Sequence, residues 1–151
     1  MGRDNHVKVR VVTSPPSSSA IGRAGEFLTA ASLESMGWRV SLSSVEHIDL
    51  LAISTTRILR VQVKSTAQRN SRNHYAFTLR STTARANIQA AEVDIVALAM
   101  LDTRQVFYLP AAGLPKCIVL NKTQLNTVDL ERTSWASAID PLSGGYYNGD
   151  S

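Results

Sequence analysis

Glu26, Asp49, Gln62 and Lys64 carry most of the chemical information in this chain. Glu26 falls in a run with helical periodicity, and Asp49 stands directly before the apolar segment Leu50-Leu-Ala-Ile53. Gln62 and Lys64 are two apart in Arg60-Val-Gln-Val-Lys64. In an extended strand, side chains at i and i+2 share a face roughly 6.6 Å apart. Gln62 and Lys64 therefore project together, while Val61 and Val63 turn away. The short Thr55-Thr56 link is a hairpin turn in length, and the hairpin returns Asp49 to the level of Gln62. Two carboxylates and an amide oxygen are hard donors of the kind Mg2+ prefers, with Mn2+ able to substitute. An ammonium beside them can orient water or neutralise charge on a phosphate. The expected chemistry is metal-assisted phosphodiester hydrolysis, with Asp49, Gln62 and Glu26 as metal ligands and Lys64 completing the catalytic set. His47 is a weaker ligand candidate, because imidazole suits softer metals. Taken singly, these residues keep plainer readings: Asp49 as a strand-start acid, Gln62 as an exposed polar position, Lys64 as a strand-end cation with a packed stem.

The elements that must hold these groups follow from periodicity. Residues 20–36 predict a first helix, stopped by Gly37. Its stripe Ala20, Ala24, Phe27, Leu28, Ala31 reads as a packing face, and a second stripe, Gly22, Glu26, Thr29, Leu33, Met36, carries Glu26 as its only charge. Strands are predicted at 38–42, 48–54, 57–65 and 75–79, then a helix over 84–91. The nearly continuous apolar run 93–101 predicts a strand buried on both faces. Strands at 105–109 and 117–120 and a helix over 130–139 follow. This order indicates an α/β fold, a central mixed β-sheet flanked by helices. At 151 residues the chain is most simply one domain. Residues 1–19, rich in Pro and Ser towards their end, read as a flexible arm, 20–140 as the folded unit and 141–151 as a loose tail.

Composition excludes several classes. With 44% hydrophobic and 19% charged residues the chain is ordinary for a soluble protein. No apolar run approaches the ~20 residues that span a bilayer, so no membrane partner is expected. No apolar stretch follows Arg3, Lys8 and Arg10, so a secretory signal is not expected either. Cys117 is the single cysteine, which excludes an internal disulfide and fits a cytoplasmic location. In Lys116-Cys-Ile-Val-Leu120 it reads as a small buried hydrophobe. The net charge is +4, and between Arg57 and Arg85 there are seven Lys/Arg and no Asp or Glu. Such a stretch suits a phosphate backbone, and Arg69, Arg72, His74, Arg80 and Arg85 are the expected DNA contacts. A solvated face whose acids come from elsewhere in the fold is the bland alternative. Asp94 reads as a strand-entry acid.

Gly25-Glu26, His47-Ile-Asp49-Leu-Leu and Val61-Gln-Val-Lys64-Ser together resemble the PD-(D/E)xK nuclease superfamily. The resemblance is strongest to the group I intron-associated homing endonuclease branch, where glutamine takes an acidic position of the core motif. Archaeal-type Holliday junction resolvases are similar in plan. The likeness covers about residues 21–110, with Tyr75–Arg80, Val93–Leu98 and Val106–Pro110 looking like later strands of that branch. It implies a restriction-endonuclease-like core over residues 20–140, with Glu26 as the helix acid, Asp49 the central metal aspartate, Gln62 the variable ligand and Lys64 the catalytic lysine. Ile48 stands where the superfamily name has proline, and Gln62 removes one negative charge, which implies weaker metal binding. The implied function is a Mg2+-dependent DNA endonuclease, homing-type or site-specific, acting on double-stranded or branched DNA as a homodimer or homotetramer. A junction resolvase, or a DNA-binding protein that keeps the fold without cleaving, is the alternative.

Overall fold

The structure is a computed structural model that describes residues 11, 14–79 and 92–143. The expected helix over 84–91, Arg80, Arg85 and the tail from 144 onward lie outside the described residues. Among the described residues ten elements follow one another: α1 (Ser18–Ser35), β1 (Arg39–Leu42), β2 (Leu50–Ile53), β3 (Ile58–Thr66), β4 (Tyr75–Thr78), β5 (Ile95–Met100), β6 (Gln105–Pro110), β7 (Cys117–Leu120), α2 (Lys122–Leu125) and α3 (Leu130–Ser143). Five strands form a mixed sheet in the order β1-β2-β3-β5-β6, and β4 and β7 form a separate antiparallel pair. Within the large sheet only β3 and β5 run parallel.

The run that the sequence marked as doubly buried is the spine of the molecule. All six residues of β5 are buried. Ile95, Ala97 and Ala99 face one core, shared with Leu33 of α1 and Trp135 and Ala138 of α3. Val96, Leu98 and Met100 face the other, shared with Tyr75 and Phe77 of β4 and Ile118 and Leu120 of β7. Three layers result: helices α1 and α3, the five-stranded sheet, and the β4–β7 pair. Trp135 closes the helix side, edge-on to Trp38 at 5.1 Å and to Tyr108 at 5.0 Å.

Three expectations are corrected. The first helix starts at Ser18, two residues early, because Ser17 caps it by accepting the Ala20 N–H at 3.2 Å. Its buried face is Gly25, Thr29, Ser32 and Leu33, which includes Thr29 and Leu33 of the second stripe; of the Ala20–Ala31 stripe Leu28 packs against the core, whereas Phe27 is 53% exposed. The reason is distance. A Cβ on Gly25 would overlap the Ser65 hydroxyl and lie 2.7 Å from Ser65 Cβ and 3.3 Å from Ala99 Cβ, so only small residues fit where helix meets sheet. Cys117 is exposed, not buried, since β7 alternates and turns Ile118 and Leu120 inward. The Thr55-Thr56 turn lacks Asn or Gly because Ser54 Oγ accepts the N–H groups of Thr56 and Arg57. Among the described residues no helix is long and apolar enough to cross a membrane.

Candidate active site

Strand β2 begins one residue after Asp49, whose N–H donates to the Val61 carbonyl at 2.9 Å. N-terminal to that rung the chain leaves the sheet. A turn closes with the Ile48 N–H on the Val45 carbonyl at 3.1 Å, and His47 adopts a left-handed conformation, φ 68°. Strand β3 continues to Thr66, and its register with β2 ends at the Leu50–Val61 pair. Asp49 Oδ2 accepts the Val63 N–H at 2.6 Å, so the carboxylate takes the place a neighbouring strand's carbonyl would hold. A charged acceptor is thereby fixed in the plane of the sheet at an open edge.

The other side chains reach this edge from both faces. Gln62 pairs across β5 with Val96 and Lys64 with Leu98, so both lie on the β4–β7 side, while Val61 and Val63 pack on the helix side. Gln62 is only 7% exposed, unlike the exposed alternation that a polar strand residue would show. Lys64 is half-buried and lines a cleft of about 470 Å³ between the first turns of α1 and the end of β3, with Ser18, Ile21, Gly22, Ser65 and Gln68. Glu26 arrives from α1, carried by the close approach at Gly25. Burial pushes the Glu26 carboxyl up, the negative charge of Asp49 pushes it further, and Arg23 opposes both. The two carboxylates are thus near enough to repel. Sequence reasoning did not single out Ser65, whose buried hydroxyl has no hydrogen-bond partner among the described residues and on which α1 rests through Gly25.

A family model described as PD-(D/E)XK endonuclease matches residues 17–138, most of the chain and all of the elements that meet at this edge. The chain belongs to the PD-(D/E)XK endonuclease family. The structure of a bacterial homing endonuclease is similar in fold, with a TM-score of 0.59 and 17% identity over 80% of this chain and 96% of that one. Among curated proteins, none matches this sequence. The α/β architecture of this endonuclease, a mixed sheet with flanking helices, is the restriction-endonuclease-like core.

The donor set in this PD-(D/E)XK chain suits a hard divalent ion. Among the described residues no group of three or more His, Cys, Asp or Glu is placed to hold a metal. The two repelling carboxylates are oxygen donors, and a cation between them would relieve the repulsion; Gln62, next to the Val63 whose N–H Asp49 accepts, adds an amide oxygen on the β4–β7 side of the strand. Remaining positions would fall to water and phosphate, which Mg2+ retains readily. His47 lies beside Glu46, 3.4 Å away.

Of the basic residues, the structure gathers some and removes others. Arg60 donates through Nη2 and Nε to Asp94 at 2.9 and 3.1 Å, and Asp94 Oδ2 also accepts the Arg60 N–H at 2.8 Å. Asp94 is therefore the strand-entry acid, and it withdraws Arg60 from any phosphate-facing surface. Arg69, Arg72 and His74 come together in the loop after β3, where Asn70 Oδ1 accepts the N–H groups of Arg72 and His74, each at 3.0 Å. The Arg69 guanidinium lies 4.9 Å from the centre of the Tyr75 ring. With Lys122 of α2, these three line a basin of about 500 Å³. Lys122 escaped sequence reasoning; the signal for it was that residues 103–128, like 57–85, contain no acid.

Proposed function

We propose that the protein is a divalent-metal-dependent DNA endonuclease in which Glu26, Asp49 and Gln62 hold Mg2+ and Lys64 acts beside it. The observation that carries this reading is Asp49: a carboxylate anchored by the Val63 N–H at the open edge of β3, within electrostatic reach of Glu26. Bound there, the ion supplies charge neutralisation at the scissile phosphate and an acidified water. Asp49 and Glu26 contribute the charge that retains it, and Gln62 a neutral oxygen, which implies weaker retention than a third acid would give. Lys64, on the same face as Gln62, orients water or neutralises the phosphate oxygens. Arg69, Arg72 and His74 contact the DNA backbone from the basin; Arg80 and Arg85 remain further DNA contacts on the ground of sequence alone. A site-specific, homing-type activity is supported by the fold shared with the bacterial homing endonuclease and by the glutamine in the core motif. One chain supplies one site, so double-strand cleavage implies a homodimer or homotetramer.

The test is cleavage of plasmid, linear duplex and four-way junction substrates with Mg2+ or Mn2+. Linear duplex or plasmid should be cut at preferred positions, and Asp49→Ala and Lys64→Ala should each lose about a thousandfold in rate. Cutting confined to the junction points to a resolvase. Both variants cutting as fast as wild type removes this site from the reaction.

A further inference from the structure

The β4–β7 pair takes no part in the site proposed above, yet its chemistry is one-sided. Tyr75, Phe77, Ile118 and Leu120 point inward and are buried. Ala76, Thr78, Cys117 and Val119 point outward and are exposed, with Ala76 opposite Val119 and Thr78 opposite Cys117. The outer face is uncharged and built of small or β-branched side chains. Charge sits at its two ends. Arg69, Arg72, His74 and Lys122 gather at the end where β4 starts and β7 stops, and Lys116 precedes β7 at the other. Residues 50–91 and 103–128, which supply both strands and α2, contain no Asp or Glu. Asp102, which follows β5, is engaged by the Tyr75 hydroxyl at 2.9 and 2.8 Å.

Dimensions favour one partner. Two paired four-residue strands make a ribbon roughly 13 Å long with strands about 4.8 Å apart. The major groove of B-DNA is about 12 Å wide and admits a two-stranded ribbon. A face of small side chains lets the ribbon backbone sit deep, and cations at both ends meet the phosphates that rim the groove. We propose that the outer face of β4–β7 lies in the major groove of duplex DNA and contributes to sequence preference. Thr78 offers a hydroxyl to base edges, Ala76 and Val119 offer apolar contact to thymine methyls, and the basic ends fix the register. Strand β3, which carries Gln62 and Lys64, leads into this ribbon through the Arg69–His74 loop, so docking there places the adjoining backbone beside the candidate active site. The proposal rests on the endonuclease reading only in taking duplex DNA as the partner.

Cys117 provides the test, because it is the single cysteine and lies on the outer face. Maleimide alkylation of the wild-type protein is followed in EDTA and low salt, with and without saturating duplex DNA, and saturation is confirmed by fluorescence anisotropy. Docking in the groove should slow alkylation by at least about tenfold. Val119→Glu, at an exposed strand position and with its melting temperature checked against wild type, should weaken duplex binding by about tenfold or more. Equal alkylation rates in bound and free protein overturn the proposal, as does absence of duplex binding. Protection that grows with protein concentration and needs no DNA also overturns it, assigning the face to self-association. Because no step requires cleavage, an inactive protein that still shows DNA-dependent protection sinks the metal site and leaves the ribbon standing.

Discussion

Burial and the nearby charge of Asp49 both raise the Glu26 carboxyl, and only the charge of Arg23 works against them. A carboxylate kept for stability behaves differently, as Asp94 shows. Burial by itself would raise the Asp94 carboxyl, but the hydrogen bonds from the Arg60 side chain and N–H, with the Arg60 charge, outweigh it and hold it below the ordinary carboxylate range. Two contrasting predictions follow from these environments. Glu26→Gln should leave the melting temperature unchanged or slightly raised while cleavage falls by about a hundredfold or more; a melting temperature several degrees lower would mark Glu26 as structural. For Asp94 the folded pKa lies below the unfolded value of about 3.9, so its contribution is complete at neutral pH and is lost as pH falls below about 4. Chemical denaturation of Asp94→Asn between neutral pH and pH 3 should show lower stability than wild type at neutral pH, with the gap closing in acid.

At the scale of elements, α1 decides whether the site assembles. Gly25→Ala puts a methyl into Ser65 and should cost about 1–3 kcal/mol in stability. It should also lower cleavage, since α1 must lift and carry Glu26 away from Asp49. Gly25→Ala combined with Ser65→Gly should restore much of both, and failure of that rescue would show that the contact does not set the position of α1. What was legible here, and what was not, follows from the same geometry. Period-two alternation shows that Gln62 and Lys64 share a face, and the unbroken run at 95–100 shows a strand between two layers. The packing face of α1 is only partly legible: the stripe through Thr29 and Leu33 is the buried one, but hydropathy also points to Ala24, Phe27 and Ala31, whereas close approach to the sheet selects Gly25 and Ser32 for size. The capping of Val63 by Asp49 depends on a left-handed turn at His47, a conformation that the residue type does not announce. Helix α2, four residues long, is too short to leave a periodic trace.

For the whole molecule, acids and bases are segregated. Asp and Glu occupy the chain up to 49, then 92–102, and then 129 onward, so the residues that line the basin include cations and no acid, with Asp102 held by the Tyr75 hydroxyl. Binding to duplex DNA should therefore weaken steeply with salt. Arg72→Ala and Lys122→Ala should each reduce the slope of log affinity against log salt by about 0.9, measured by anisotropy titration; unchanged slopes would place the DNA elsewhere. In the proposed site, one edge of one strand gathers the groups for metal-dependent hydrolysis. Conversion of supercoiled plasmid to nicked and linear forms tests it most directly, with wild type and Asp49→Ala each incubated with Mg2+, with Mn2+ or with EDTA. Conversion by wild type with either ion, absent in EDTA and absent for Asp49→Ala, is the predicted result. Cleavage that persists in EDTA, or in Asp49→Ala at the wild-type rate, contradicts it.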